Sequence, residues 1–353
     1  MKRERRALLS AGTQMPDMRR REFMCSAALS AGAVGTLLGL GMSPVARSAS
    51  SVTTGSGRNM IVITAPTGNI GERVLRSVLA GGARVRVIAR DPDRLPAELV
   101  SGVEVVRGSH GDANVVDQAF NGAHTVFWLC PPDPRAASLT AAYLDFTRPA
   151  CDAFRRHGVK RVVGVSALGR GLPIAKNAGH VTASLAMDDM IASTGVSFRA
   201  LTMPSFMDNL LRQIVPIKTQ GTFFSPISGN RKMPSCAARD IAVVAAQLLQ
   251  DDSWSGNGSV PVLGPEDLSF DDMAQIMSEV LGRPVRFQQI SGETYKAQLM
   301  KNGMSEAMAQ GMLDMAMAKE NGLDNGVPRT KEATTPTTFR QWCEEELKPA
   351  VLA

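Results

Sequence analysis

Between Thr64 and Gly71 the chain reads Thr-Ala-Pro-Thr-Gly-Asn-Ile-Gly. Glycines at this spacing suit the pyrophosphate of a dinucleotide. Gly68 lets the backbone approach the phosphates, and Gly71 lets a following helix pack closely on the preceding strand. The helix N-terminus would then offer amide hydrogens and the positive end of its dipole. A tight turn with no ligand would use the same glycines, so the flanking residues decide. Met60 to Thr64 is a short β-branched apolar run, and Ile70, Val74, Leu75 and Val78 recur at helical spacing. Strand, glycine turn and helix therefore follow in the order that phosphate binding needs. Arg90 comes directly after a second apolar run, Val85 to Ala89. NAD sites usually place a carboxylate there for the ribose hydroxyls, whereas an arginine can hold a 2′-phosphate. That favours NADP(H) over NAD(H), with the neighbouring Asp91 as the competing ribose acceptor.

The elements that must position these residues alternate along the chain. Strands are expected at 60–64, 85–89, 103–106, 125–129, 161–165 and 197–202. Helices are expected at 70–79, 115–120, 139–157 and 180–194, the last two stopped by Gly158 and Gly195. This β-α rhythm predicts an α/β fold, a Rossmann-type doubly wound parallel sheet. After Pro204 the rhythm loosens. A helix at 240–250, a strand at 260–263, a Ser269-x-x-Asp272 helix start and a strand at 285–289 indicate a smaller C-terminal α/β substrate lobe. The domain boundaries read 59–204 for the dinucleotide-binding domain and 205–353 for the lobe over the carboxyl edge of the sheet.

Further runs strengthen the glycine turn: Leu129-Cys130-Pro131-Pro132, Pro204-Ser205-Phe206-Met207-Asp208-Asn209, Ala238-Arg239-Asp240-Ile241-Ala242 and Gly264-Pro265-Glu266. With Thr67-Gly68-Asn69-Ile70-Gly71 they make the chain resemble the NmrA-like group of atypical short-chain dehydrogenases, which includes quinone-oxidoreductase-like members. The resemblance implies that Thr67, Gly68, Asn69, Ile70 and Gly71 line the phosphates and that Arg90 meets the adenosine ribose. It implies that Leu129, Cys130 and Pro131 flank the nicotinamide ribose, and that Pro204, Ser205 and Phe206 border the nicotinamide pocket. Ser166 falls where short-chain dehydrogenases carry their catalytic serine. The chain also departs from the pattern. Ala65 replaces the usual first glycine, so a turn with negative φ is expected there. Ser109-His110 stands in place of an acidic residue that contacts adenine, and Met203 in place of an arginine.

Ordinary short-chain dehydrogenases carry a tyrosine four residues before a lysine, one helical turn apart. Here Tyr143 is followed four later by Thr147 and Tyr295 by Leu299; the nearest register on the helix after Ser166 is held by Ser184 and Asp188. Neither supplies a phenol-ammonium acid. His180 and Lys176 remain as candidate proton donors, with His180 one turn before Ser184; a polar helix start is the plainer account of His180. The methionines from Met312 to Met317 have the spacing of core filling, and the cysteines lack zinc spacing, so no metal is expected.

The charge lies in the leader. The chain has 39 basic and 33 acidic residues, but the first 48 residues hold eight of the former and three of the latter, leaving 31 against 30. A nearly neutral body excludes a nucleic-acid footprint. Residues 1–50 read as an export signal: Arg20-Arg21-Glu22-Phe23-Met24 resembles a twin-arginine motif, a weakly apolar stretch runs from Cys25 to Met42, and small residues end at Ser48. A linker spans 51–58. The implied partner is the twin-arginine export machinery, the implied location periplasmic or extracytoplasmic, and the remaining four cysteines are expected as reduced thiols. The sequence sets no oligomeric state.

The expected activity is an NADP(H)-dependent oxidoreductase that passes hydride to a quinone- or enone-like small molecule without a tyrosine-lysine relay, with Phe206, Phe223, Phe224 and Trp128 shaping an apolar pocket. The competing expectation is a dinucleotide-binding sensor that performs no chemistry.

Overall fold

The computed structural model describes residues 59–353. Residues 1–58, where an export signal and linker are expected from sequence, lie outside the described residues. In chain order the first half contains β1 (Met60–Thr64), α1 (Asn69–Ala80), β2 (Arg84–Ala89), α2 (Ala97–Val100), β3 (Val103–Arg107), α3 (Ala113–Phe120), β4 (Ala123–Trp128), α4 (Phe146–His157), β5 (Arg161–Ala167), α5 (His180–Ala192) and β6 (Ser197–Met203). The second half contains β7 (Ser205–Phe206), α6 (Ile214–Gln220), β8 (Thr222–Ser225), β9 (Met233–Cys236), α7 (Ala238–Gln250), β10 (Asn257–Pro261), β11 (Asp267–Leu268), α8 (Phe270–Leu281), β12 (Arg286–Gln289), α9 (Gly292–Lys301), α10 (Glu306–Glu320), α11 (Phe339–Trp342) and α12 (Lys348–Leu352).

Seven strands form one sheet in the order β10-β6-β5-β4-β1-β2-β3, and every neighbouring pair is parallel. Chain order reverses between β1 and β4, which puts the ligand crevice at their carboxyl ends. The strands are apolar on both faces because helices cover both. Ile61, Ile63 and Val163 pack with Val74 and Leu75 of α1 and Ile241 and Ala245 of α7. Val62, Val126 and Val162 pack on the other face with Phe154 of α4 and Met187 and Ile191 of α5. The doubly wound Rossmann-type fold is therefore the observed one.

The boundary at residue 204 does not separate the layers. β10 returns to pair with β6 at the sheet edge, and α7 returns to pack on the α1 face. The lobe proper consists of β7, β9 and β11 in one small sheet and β8 with β12 in another. Its core holds Phe223, Met273, Met277, Phe339 and Trp342. The start of α8 is as the sequence spacing predicts: Ser269 Oγ accepts from the Asp272 amide at 3.1 Å, and Asp272 Oδ2 accepts from the Ser269 amide at 2.9 Å. The helix expected from residue 139 starts there and passes through a π-helical turn, Ala141–Asp145, before α4. Pro149 lies inside α4; it has no amide hydrogen for the Asp145 carbonyl, and the wider turn accommodates that gap.

Candidate dinucleotide site

The turn between β1 and α1 is closed by the Gly68 amide, which donates to the Ala65 carbonyl at 3.1 Å. Gly68 is the extended residue before the helix, and no side chain caps the first turn of α1. The anion-binding end of the helix is thus left to its backbone. Ala65 corrects the sequence expectation. Its φ is 50°, the left-handed region, and among the described residues it alone reaches positive φ without being glycine. The cause lies six residues on. A Cβ on Gly71 would sit 2.0 Å from the Ala65 carbonyl oxygen, so helix and turn are in direct backbone contact. That contact fixes the turn in the shape a glycine would adopt freely, and alanine, with the smallest side chain, accepts it at a cost of about 1–2 kcal/mol.

The crevice floor is tied to this turn. Thr64, the last residue of β1, donates its hydroxyl to the Phe127 carbonyl at 3.0 Å and accepts the Leu129 amide at 2.9 Å. The Leu129 carbonyl accepts in turn from His110 Nε2 at 3.0 Å. His110 is packed edge-on against Trp128 and Phe146, with ring centroids 5.2 and 4.9 Å away. Burial, joined by the Arg90 charge and opposed by the hydrogen bond to Leu129, pushes its imidazole down to about 4. His110 is therefore a neutral strut that holds Leu129 in place; its sequence neighbours, Gly108-Ser109 and Gly111-Asp112, give no signal for that role. Cys130 donates its thiol to the Ala142 carbonyl at 3.3 Å, and burial pushes that thiol up to about 12, so it is no nucleophile. Pro131 is exposed at the rim. Arg90 is exposed immediately beyond β2, and its guanidinium has no carboxylate partner among the described residues. An unpaired guanidinium at the adenosine end, with an uncapped helix start beside a bare glycine, fits an adenine dinucleotide.

The Asn69 side chain serves the lobe. Its Nδ2 donates to Asp208 Oδ1 at 2.6 Å and its Oδ1 accepts from Arg73 at 2.9 Å. Asp208 also accepts the first amide of α7, from Ala238, at 2.9 Å. Arg73 reaches Glu346 at 2.8 Å. Asp240 accepts the Thr337 hydroxyl at 2.8 Å, and Glu266 accepts the Phe339 amide at 3.3 Å. Asp208 thus ties the start of α1 to the start of α7, while Asp240 and Glu266 hold the segment at Thr337 and Phe339 and Glu346 fastens the C-terminal end to α1. Pro204 is buried, and half-buried Ser205 and Phe206 form β7, which pairs in parallel with β9. Trp128 and Phe223 do not shape a pocket: both are fully buried, Trp128 beneath the sheet face and Phe223 in the lobe core. Phe206 and Phe224 stay half-buried.

The second cluster lies at the carboxyl end of β5. Ser166 is buried and donates its hydroxyl to Asp188 Oδ2, across from α5. Arg170, on the loop after β5, approaches the same oxygen at 3.4 Å and pairs with Asp189 at 2.7 Å. His180 is not near this pair. Its Nδ1 meets the Tyr143 hydroxyl at 3.1 Å and its Nε2 meets the Met308 carbonyl at 3.1 Å. The carbonyl can only accept, so Nε2 carries the hydrogen and Nδ1 accepts from the tyrosine. Burial also lowers the imidazole pKa. His180 is thus a neutral link between the π-helical turn, α5 and α10. Lys176 is exposed and lines a surface depression together with Arg170 and Asp189. The four cysteines of the described residues are free thiols, and no group of three or more His, Cys, Asp or Glu side chains converges there.

Comparison with known proteins agrees with this architecture. The model of the NmrA-like family matches residues 57–343. The chain is 28% identical over 295 residues to (4-alkanoyl-5-oxo-2,5-dihydrofuran-3-yl)methyl phosphate reductase of Streptomyces griseus, covering 81% of this chain and 97% of that protein. It is 28% identical over 256 residues to the NAD(P)H azoreductase of Xenophilus azovorans, covering 72% and 86%. Among solved structures it resembles the NADPH-dependent quinone oxidoreductase of Escherichia coli in complex with NADPH, with a TM-score of 0.63 at 21% identity, covering 78% of this chain and 97% of that one.

Proposed function

This chain belongs to the NmrA-like family, and we propose that it is an NAD(P)H-dependent oxidoreductase that prefers NADP(H) and reduces a quinone- or enone-like small molecule. The observation that carries the reading is the β1–α1 turn, where an uncapped helix start and the bare Gly68 face the switch point of the sheet. Curated relatives named as reductases, one of them an NAD(P)H azoreductase, support oxidoreduction as the activity. The exposed, unpaired Arg90 supports the 2′-phosphate form of the cofactor. The reduced nicotinamide, when bound, supplies the hydride. The protein's own task would be to orient and to exclude water: Thr64 and His110 hold Leu129, Pro204, Ser205 and Phe206 would border the nicotinamide, and Ser166 stands near the carboxyl end of β5. An electron-poor acceptor needs less acid assistance than a ketone, which suits a chain without the tyrosine-lysine pair. His180, with both ring nitrogens engaged, is assigned to holding α10.

The test is consumption of NADPH by the purified protein against a panel of quinones and enones. Turnover with at least one acceptor is expected, and binding without turnover across the panel would replace this reading by that of a dinucleotide-responsive sensor. We further propose twin-arginine export to the cell envelope, supported by Arg20-Arg21 and the weakly apolar stretch behind them. Changing both arginines to lysine should leave the protein in the cytoplasm; unaltered export would refute this route.

A further inference from the structure

The carboxyl end of β5 holds a pair that the dinucleotide does not account for. Ser166 sits one residue from the end of the strand and points toward α5, where its hydroxyl meets Asp188. Asp188 is 2% exposed, and its Oδ1 is buried with no hydrogen-bond partner. A carboxylate left half-unpaired in this way costs free energy that protonation relieves. The charges that act on it are Arg170, from the loop after β5, and Asp189, on its own helix. Arg170 divides its guanidinium between the two aspartates, at 3.4 Å from Asp188 and 2.7 Å from Asp189. Burial dominates and pushes the Asp188 carboxyl up to about 7, against the pull of Ser166 and Arg170.

We propose that Asp188 and Ser166 form a two-member proton relay that protonates the reduced acceptor. This proposal rests on the oxidoreductase reading above. The two protonation states of Asp188 give Ser166 opposite roles. An ionised carboxylate only accepts, so the Ser166 hydroxyl must donate to it and has no proton to spare. A neutral carboxyl donates to Ser166 Oγ and frees the serine hydrogen to point at the crevice. Once hydride has reached the acceptor, the resulting anion takes the proton on Ser166 Oγ, and Oγ takes the one on Asp188. One O–H bond breaks on Asp188, one bond to hydrogen forms on the product, and serine is restored. The two electrons come from the reduced nicotinamide. Arg170 and Ser166 stabilise the carboxylate that remains, and water reprotonates it from the exposed Arg170 side. The relay matters most for a strongly basic anion such as an enolate. A hydroquinone anion, whose phenolic pKa is about 10, can be protonated by water.

The experiment uses the full protein with NADPH, one quinone and one enone, and compares Asp188→Asn with wild type across pH. General acid assistance contributes roughly 100-fold or more, so the variant should lose at least tenfold more of its enone-dependent kcat than of its quinone-dependent kcat. The wild-type enone rate should fall above about pH 7, and that fall should vanish in the variant. Carbon-13 NMR of labelled aspartate, without acceptor, should show a carboxyl that ionises near neutrality and is missing from Asp188→Asn. Equal losses for both acceptors, an unchanged pH profile, or an Asp188 carboxyl already ionised at pH 5 would overturn the relay while leaving the oxidoreductase reading intact. Failure of wild type to turn over any acceptor would overturn both. Asparagine is isosteric with aspartate; should that variant not fold, Ser166→Ala removes the middle member and carries the same comparison.

Discussion

The two ends of the crevice are built from different materials. At β1 the working surface is backbone: a bare Gly68, an uncapped helix start and a carbonyl touching the Cα of Gly71. At β5 it is side chain: a hydroxyl, a buried carboxyl and a guanidinium brought together from strand, helix and loop. Backbone geometry tolerates no substitution that adds a Cβ in the wrong place, but it has no proton to give. The side-chain cluster can change its charge, and its neighbours set when. Binding is thus placed where the chain is stiff, and proton transfer where it can titrate.

The comparison can be broken most severely at Gly71. Gly71→Ala puts a Cβ 2.0 Å from the Ala65 oxygen, with backbone on both sides, and should destabilise the fold by about 3 kcal/mol in urea titration. Gly68→Val separates binding from stability. A Cβ there meets the same oxygen only at 3.4 Å, so the melting temperature should move little while NADPH binding is lost. Normal NADPH affinity would reduce the glycine to a structural turn. Arg90→Ala should weaken NADPH by one to two decades, the value of about 1.5–3 kcal/mol for a charged hydrogen bond, and leave NADH nearly unchanged. Equal losses for both cofactors, or a wild-type preference for NADH, would refute the 2′-phosphate contact.

Titration sharpens the comparison because the two ends respond with opposite sign. His110, on the β1 side, is lowered from 6.5 to about 4. The folded state binds fewer protons in that window, so its contribution is present above 6.5 and lost as pH falls toward 4. Asp188 is raised from 3.8 to about 7. The folded state binds more protons there, so its contribution is present below about 4 and lost as pH rises to 7. Between pH 4 and 6.5 the two slopes oppose each other, each at most about 1.4 kcal/mol per pH unit. Asp188→Asn should remove one of them and leave stability rising with pH across this window. Wild-type and variant urea midpoints with the same slope would contradict the assignment. The smallest effect is expected at Ala65. Ala65→Gly relieves the left-handed φ of 50° but loosens the unfolded chain, for a net gain of about 0.5–1 kcal/mol.

Legibility in the sequence divides along the same line. The strand-turn-helix at β1 and the parallel sheet rest on local periodicity, which apolar spacing displays directly. The sign of φ at Ala65 does not, because it is set by the approach of Gly71 across the turn. Ser166 and Asp188 were each visible, one at a strand end and one in register on the helix. Their union was not, since it depends on how α5 packs over β5. His180 misled for the converse reason. Its helical neighbour Ser184 suggests a shared face, but its partners are Tyr143 and Met308, 37 and 128 positions away. Within the run Pro204 to Asn209, Asp208 forms a clasp between lobe and turn, a role that depends on partners far away in sequence.

That clasp has a counterpart in time. Arg73, one turn into α1, is bonded to Glu346, a partner 273 positions later. A ribosome adds roughly 5–20 residues per second, so α1 waits tens of seconds before the segment that braces it exists. A nascent chain therefore carries its glycine turn long before the Glu346 contact that braces the following helix can form.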